Sequence, residues 1–268
     1  MAATLVAYRW ELRKLAAQNR TYLGIAIAAV GPIVYLLLAI AQGYPHAPLA
    51  DNFGRTGVAF SLVVFKLIVV VGPAIIASLV AGDIAAAEDL GGTLKTILLR
   101  SVRRGQLLAA KTLALYTYLA TAMAVFFVVA TVGGVIAWGF NPVINISGHS
   151  LSALPALLLG VVSVAVYLLP VFALASFGLF LSVATRQSVA AIGGTLLYAM
   201  CLQGLAAISA IKAAHSYLLT NQPTAWHDLF QTPVAAGAII RAVWVSAAFA
   251  LPPLIGAWVI FTRRDVTT

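Results

Sequence analysis

The sequence predicts an all-α membrane protein with six transmembrane helices, an N-terminal interfacial helix and a short cytosolic helix between spans two and three. Composition sets the class. Of 268 residues, 62% are hydrophobic and only 9% charged, with a mean hydropathy of +1.02. A soluble domain carries roughly 25% charged residues, and a water-soluble fold of this length could not hide so much apolar surface. The apolar runs set the count. A membrane helix needs about 20 mostly apolar residues, and six runs qualify: 21–41, 57–82, 107–137, 155–183, 188–211 and 239–261. No second soluble domain, internal repeat or low-complexity linker interrupts them, so residues 1–268 read as one transmembrane domain.

Basic residues set the orientation, because short cytosolic loops hold most lysine and arginine. With the N-terminus inside, twelve basic residues fall inside and three outside, namely Arg55, Lys212 and Arg241. Both termini are then cytosolic, as expected in a cell (plasma or inner) membrane. The net charge of +9 reads as anchoring beside anionic lipid rather than as a nucleic-acid surface. The first apolar run begins only near Thr21 and is long enough to span, so it reads as a retained helix and not a cleaved signal. The single cysteine, Cys201, leaves the redox compartment open.

Residues 4–18 form a candidate amphipathic helix. Leu5, Tyr8, Leu12 and Leu15 share one side, Arg9 and Arg13 lie off it, and Trp10 suits headgroup depth. The plainer reading is a basic flank that orients span one. Span two should continue helically through Ile84–Leu90 until Gly91 and Gly92 stop it. Prolines 32, 73, 170, 252 and 253 lie within spans and free carbonyls that must find partners in the bundle. Of the outer loops, 212–238 is the longest and suits a short re-entrant or surface helix.

Several chemistries are excluded. No G-x-x-x-x-G-K-[ST] loop is present, so the chain lacks its own ATP site of that kind. No Asp or Glu lies within a span, whereas proton-coupled carriers need an intramembrane relay. No nucleophile–base pair sits near a span centre. The four histidines, His46, His149, His215 and His227, all fall in outer loops and read as solvated, so no metal site is expected.

The most informative stretch is Asp83 to Lys111, DIAAAEDLGGTLKTILLRSVRRGQLLAAK, with five of the sixteen basic and three of the seven acidic residues. Such a segment cannot lie in lipid and must project into water. After the Gly pair, Thr93 can cap a new helix over 93–104. Leu94, Ile97, Leu98 and Val102 recur at helical spacing, with Thr96, Arg100 and Arg103 opposite. That gives a greasy side and a cationic side, suited to docking a cytosolic partner or to resting on anionic lipid. Glu88 and Asp89 are a charged latch to the partner or to Arg103 and Arg104, or else solvate a helix end.

Glu88-x-x-x-Gly92-Thr93-Leu94-Lys95-x-x-Leu98, followed by Arg103-Arg104-x-x-Leu107-x-x-x-Lys111, resembles the cytosolic loop of ABC-2 type transporter permeases. Val102 stands where proline is frequent there, and Arg103 where serine is. The resemblance extends to the six-span plan and to a tight turn between spans four and five at Ala184–Ser188. It implies a homodimer or heterodimer of permease subunits, each docking one separate ABC ATPase through a coupling helix at 93–104. The docking set would be Glu88, Thr93, Leu94, Lys95, Ile97, Leu98, Arg100, Val102, Arg103 and Arg104. ATP and magnesium would belong to the partner, leaving this chain with no catalytic residue and no cofactor. Spans two and five would line the pathway at the dimer interface, as in an exporter. The alternative is a channel or membrane assembly factor that uses no ATPase.

For the pathway, three residues stand out. Lys66 is the charged residue deepest in a span; its ammonium can snorkel to the outer headgroups, face a hydrated cavity, or hydrogen-bond within the bundle. Tyr198 and Gln203 lie on span five. They serve either substrate contact or helix–helix hydrogen bonding, as do Cys201 on the same span and Gln42 at the end of span one.

Overall fold

The computed structural model describes residues 2–42, 56–68, 72–87, 103–145, 147–208, 215–232 and 236–263. The described residues form α-helices, one small hairpin and a 3-10 helix. In order these are α1 (Ala2–Ala16), α2 (Asn19–Gln42), α3 (Gly57–Ile68), α4 (Gly72–Ala81), α5 (Arg104–Trp138), β1 (Val143–Ile144), β2 (Ser150–Leu151), α6 (Ala153–Thr185), α7 (Ser188–Ala207), a 3-10 helix (Leu219–Phe230) and α8 (Ala236–Arg263). Among the described residues, α2, α5, α6, α7 and α8 are long and apolar enough to cross a bilayer. This is the architecture of a multi-pass membrane protein. Their lipid-side faces carry large exposed apolar residues such as Val30, Leu37, Ile136, Leu158, Met200 and Ile255.

Within the expected second span, 57–82, the described residues form α3 and α4, of 12 and 10 residues, and 69–71 lie outside the description. α3 packs chiefly on α5, and α4 on α6 and α7. Every described side chain from Thr56 to Phe65 is buried. An all-round apolar helix is a core helix, and GVAFSLVVFKLI has that composition. The Thr56 hydroxyl accepts the Ala59 N–H at 3.2 Å and caps the start of α3. Pro73 sits in the first turn of α4, where a missing N–H costs nothing. Among the described side chains, those of α3 are all buried, whereas α7 exposes Val189, Leu197 and Met200.

The α3–α5 crossing is backbone to backbone. A Cβ on Gly57 would lie 2.4 Å from the Val135 backbone, and one on Gly134 would lie 2.5 Å from the Gly57 carbonyl oxygen. The Gly57 N–H donates to the Gly139 carbonyl at 3.0 Å. Small residues permit this approach in membrane bundles. Phe60 then fills the space beside Tyr35 and Trp138. Further along α3, Phe65 meets Tyr167 of α6 at 4.5 Å between ring centroids, Phe126 of α5 at 6.1 Å and Trp226 of the 3-10 helix at 6.0 Å.

Two connections are ordered around that cluster. The loop after α5 forms the β1–β2 hairpin, which pairs Val143 with Leu151 and Ile144 with Ser150. Asn145 and Ser147 hold it to Thr232 by hydrogen bonds of 3.0 and 2.9 Å. The long loop after α7 dips into the bundle as the 3-10 helix, with Leu219, Trp226 and Phe230 buried. At the opposite end, α6 passes to α7 through Arg186 in the left-handed region (φ 59°) and an extended Gln187. That is the tight turn expected at Ala184–Ser188.

Gly57→Ala should therefore destabilise the fold by about 1–3 kcal/mol through overpacking. Gly193→Ala, which meets open space on α7, should be neutral or slightly stabilising. Thermal unfolding of the two variants in the same detergent checks the contrast.

Candidate functional site

The charged end of the bundle contains the densest polar construction among the described residues. It begins where span two ends. The expected helix through Ile84–Leu90 does not continue unbroken, because α4 stops at Ala81 and residues 82–85 form a turn. Three neighbours hold the turn. The Ser182 hydroxyl of α6 accepts the N–H groups of Ala85 and Ala86 at 3.3 and 3.0 Å. Arg20 of α2 forms an ion pair with the buried Asp83. The ammonium of Lys111, two turns into α5, donates to the Ile84 carbonyl at 3.0 Å.

The same ammonium reaches Glu11 of α1 at 3.1 Å. Lys111 is 0% exposed and Glu11 1%. The face that α1 buries is thus Ala7, Glu11 and Leu15 at four-residue spacing. It is not the Leu5–Tyr8–Leu12–Leu15 stripe: Leu5 and Trp10 are exposed, and Tyr8 and Leu12 are half-buried. Tyr8 adds a hydrogen bond to Thr117 at 2.8 Å. One lysine therefore joins α1, the end of span two and α5.

Lys14 lies beside this network, and its pKa is lowered to about 8. Burial is the main cause, the positive charge of Lys111 the second; Glu11 and Asp83 pull the other way. Unfolded, the residue titrates near its usual 10.5. The folded chain therefore resists the protonated form, and the penalty is fully present below pH 8. It is relieved as pH rises from about 8 towards 10.5, because the unfolded state then binds more protons.

A second region lies deeper. A cavity of about 50 Å³ is lined by Pro73, Tyr167, Pro170, Gln203, Thr220 and Pro223, among others. Another of about 90 Å³ is lined by Phe65, Pro73, Ile76, Met123, Phe126 and Tyr167 with α2 residues. Pro73 and Tyr167 border both. The Thr220 hydroxyl and the Trp226 indole N–H are buried without a hydrogen-bond partner among the described residues.

The sequence-predicted residues fall unevenly. Glu88, Thr93, Leu94, Lys95, Ile97, Leu98, Arg100 and Val102 lie outside the described residues. Arg103 and Arg104 do not end a separate helix: Arg103 is the N-cap of α5 and Arg104 its first residue. The Gln106 side chain accepts the Arg103 N–H at 3.2 Å, closing that first turn. Lys66 is on α3, one residue past the wholly buried run, with its side chain outside the description. Gln203 lines the smaller cavity. Tyr198 stacks on Phe177 at 3.9 Å between centroids and packs with Leu202 and Leu219. Cys201 is exposed on α7. Among the described residues, no three His, Cys, Asp or Glu side chains converge as a metal site would need.

Sequence reasoning missed Glu11, Arg20 and Asp83 as partners. The signal was present, since Glu11 interrupts an apolar four-residue stripe and Lys111 stands alone among Leu107, Leu108, Leu113 and Leu115.

Lys111→Met should cost about 3–5 kcal/mol by stranding a buried carboxylate. Combining it with Glu11→Leu should recover most of that loss, leaving the Ile84 carbonyl as the residual cost. A double-mutant cycle by thermal unfolding measures the coupling. Separately, raising pH from about 7.5 to 9.5 should raise the unfolding temperature, and Lys14→Met should flatten that rise.

Residues 32–267 match the family model described as "Protein of unknown function (DUF2705)". The matched span includes Asp83 and Lys111 and excludes Glu11, Lys14 and Arg20. No curated protein matches the chain. The chain belongs to the DUF2705 family.

Proposed function

We propose that this DUF2705 protein is the membrane-spanning permease subunit of an ATP-driven ABC-2 type transporter. It works as an exporter and as a dimer, in a cell membrane with both termini cytosolic. Separate ATPase subunits carry the ATP and magnesium, so this chain is not itself an enzyme. The observation that carries the reading is the Lys111 junction. The segment expected to dock the ATPase, 93–104, runs between two points that one buried ammonium joins, the turn at Ile84 and the start of α5. A push on that segment would reach α1 through Glu11, α2 through Asp83 and Arg20, and α6 through Ser182. A lever needs such a rigid root. A channel without an ATPase has no comparable need to tie five elements to one loop.

Within the bundle, substrate would pass near the cavity lined by Gln203, with Tyr198 and Lys66 on the flanking helices. The polar groups there are few, so the cargo would be largely apolar with an occasional hydrogen-bonding group.

The coupling test is Leu98→Asp. The wild-type chain should co-purify with an ATPase bearing a Walker A loop. The variant should lose it while keeping its unfolding temperature and membrane insertion. A chain that transports with no such ATPase, or a variant that binds and transports normally, defeats the reading and favours the ATPase-independent alternative.

A further inference from the structure

We infer that the apolar cavity of about 90 Å³ between α2, α4 and α5 seats the end of one lipid acyl chain, which enters from the bilayer past α2. The wall on α2 is Ile27, Ala28 and Gly31; α4 adds Pro73 and Ile76, and α5 adds Met123 and Phe126. Phe65 and Tyr167 close it from α3 and α6. Apart from the Tyr167 phenol, the described side chains of this wall carry no oxygen or nitrogen. A water needs about two to four polar partners, and these side chains offer it one. Left empty, the cavity forfeits dispersion contacts along its whole lining. Apolar matter is what restores them.

Depth says which apolar matter is at hand. Arg20, at the start of α2, is half in water and pairs with Asp83. That pair marks the charged edge of the bundle. Ile27 and Gly31 lie further along α2, about 10 and 16 Å from Arg20 at 1.5 Å per residue. Ile76 lies a similar distance from Asp83 on α4 and the turn after it. The hydrocarbon core is about 30 Å thick, so its middle is about 15 Å from either edge. Both helices therefore place the cavity near the bilayer midplane. Headgroups and glycerol cannot reach that level, whereas the ends of acyl chains fill it.

The way in follows from exposure. Ile76, Met123 and Phe126 are buried, but Ile27 and Gly31 are half-buried. On the same helix Leu23, Val30 and Val34 are 54%, 52% and 50% exposed. The cavity thus lies between the core and one lipid-facing helix, on which Ala28 offers a single carbon and Gly31 none. An apolar cavity of about 150 Å³ holds benzene or xenon; this one is smaller and takes the last few carbons of a chain. The inference needs only that the protein crosses a bilayer, so it stands apart from the ATPase reading.

Photolabelling of the full chain in liposomes tests it. Two phosphatidylcholines serve as probes, one with a diazirine at the end of an acyl chain and one with the diazirine beside the ester. The chain-end probe should label Ile76, Met123 and Phe126 as well as the lipid-facing Val30. The ester-side probe should leave all three buried residues unlabelled. Ala28→Leu and Ile76→Phe fill the cavity from two different helices. Each should abolish the label at Met123 and Phe126 and keep it at Val30. Label confined to exposed residues, or label at Met123 and Phe126 that survives both fillings, overturns the inference. Xenon binding in a cavity that takes no chain-end label would mark a void open to small gas alone, and overturns it too. Comparing the two probes on the wild-type chain decides the matter even where a filled variant folds poorly.

Discussion

A charge buried in a membrane protein must be answered by another charge or by dipoles, and the Lys111 ammonium is answered by both. Glu11 supplies the countercharge and the Ile84 carbonyl a second acceptor. Neither partner lies on the helix that carries the lysine. Satisfying one buried cation therefore fixes where α1 lies and where span two ends. Surface ion pairs hold little because water competes for them. This pair has no water to compete, so displacing α1 would strand two charges together. The energetic consequence is stiffness at the base of the loop rather than net stability, since an apolar pair of similar volume could serve stability as well.

The two ends of the bundle are held by different chemistry. At the charged end, ion pairs and the Ser182 hydroxyl fix a turn. Towards the other end, packing does the same: glycine at the α3–α5 crossing, then the rings of Phe65, Tyr167, Phe126 and Trp226. Between them lie the two small cavities bordered by Pro73 and Tyr167. A 3-10 run of twelve residues is long for that geometry, whose hydrogen bonds are poor. Its buried Thr220 hydroxyl and Trp226 N–H, without partners among the described residues, are a further cost. The upper layer is thus less well satisfied than the base.

Much of this was legible in the residues. Five apolar runs became long helices close to their expected bounds, because hydrophobic length is a one-dimensional signal that needs no tertiary knowledge. The burial of α3 was not legible in the same way, because it is set by α5, α6 and the 3-10 helix, whose residues lie far away in sequence. The turn at 82–85 was missed for a similar reason, since alanines propagate helices and only Ser182, Arg20 and Lys111 overrule them. At the candidate site, the loop motif and Lys111 were readable as a pattern. Glu11 was overlooked because a glutamate on an amphipathic helix ordinarily faces water. Gln203 was readable as a polar residue in a span, but the cavity beside it depends on Pro73 and Thr220 from other elements.

The burial of α3 also constrains the order in which the chain can assemble. Its residues emerge from synthesis well before α5, α6 and the 3-10 helix that enclose them. Until those arrive, Phe65 lacks the rings of Phe126, Tyr167 and Trp226, and Phe60 has Tyr35 but not Trp138. The early intermediate is therefore a loosely packed arrangement of the first apolar segments. It becomes native when Gly134 reaches Gly57 and, later still, Trp226 covers Phe65. The last part of the outer surface to be made seals the first part of the core. Truncations that remove the C-terminal third would leave that core open to lipid, however intact the remaining helices look.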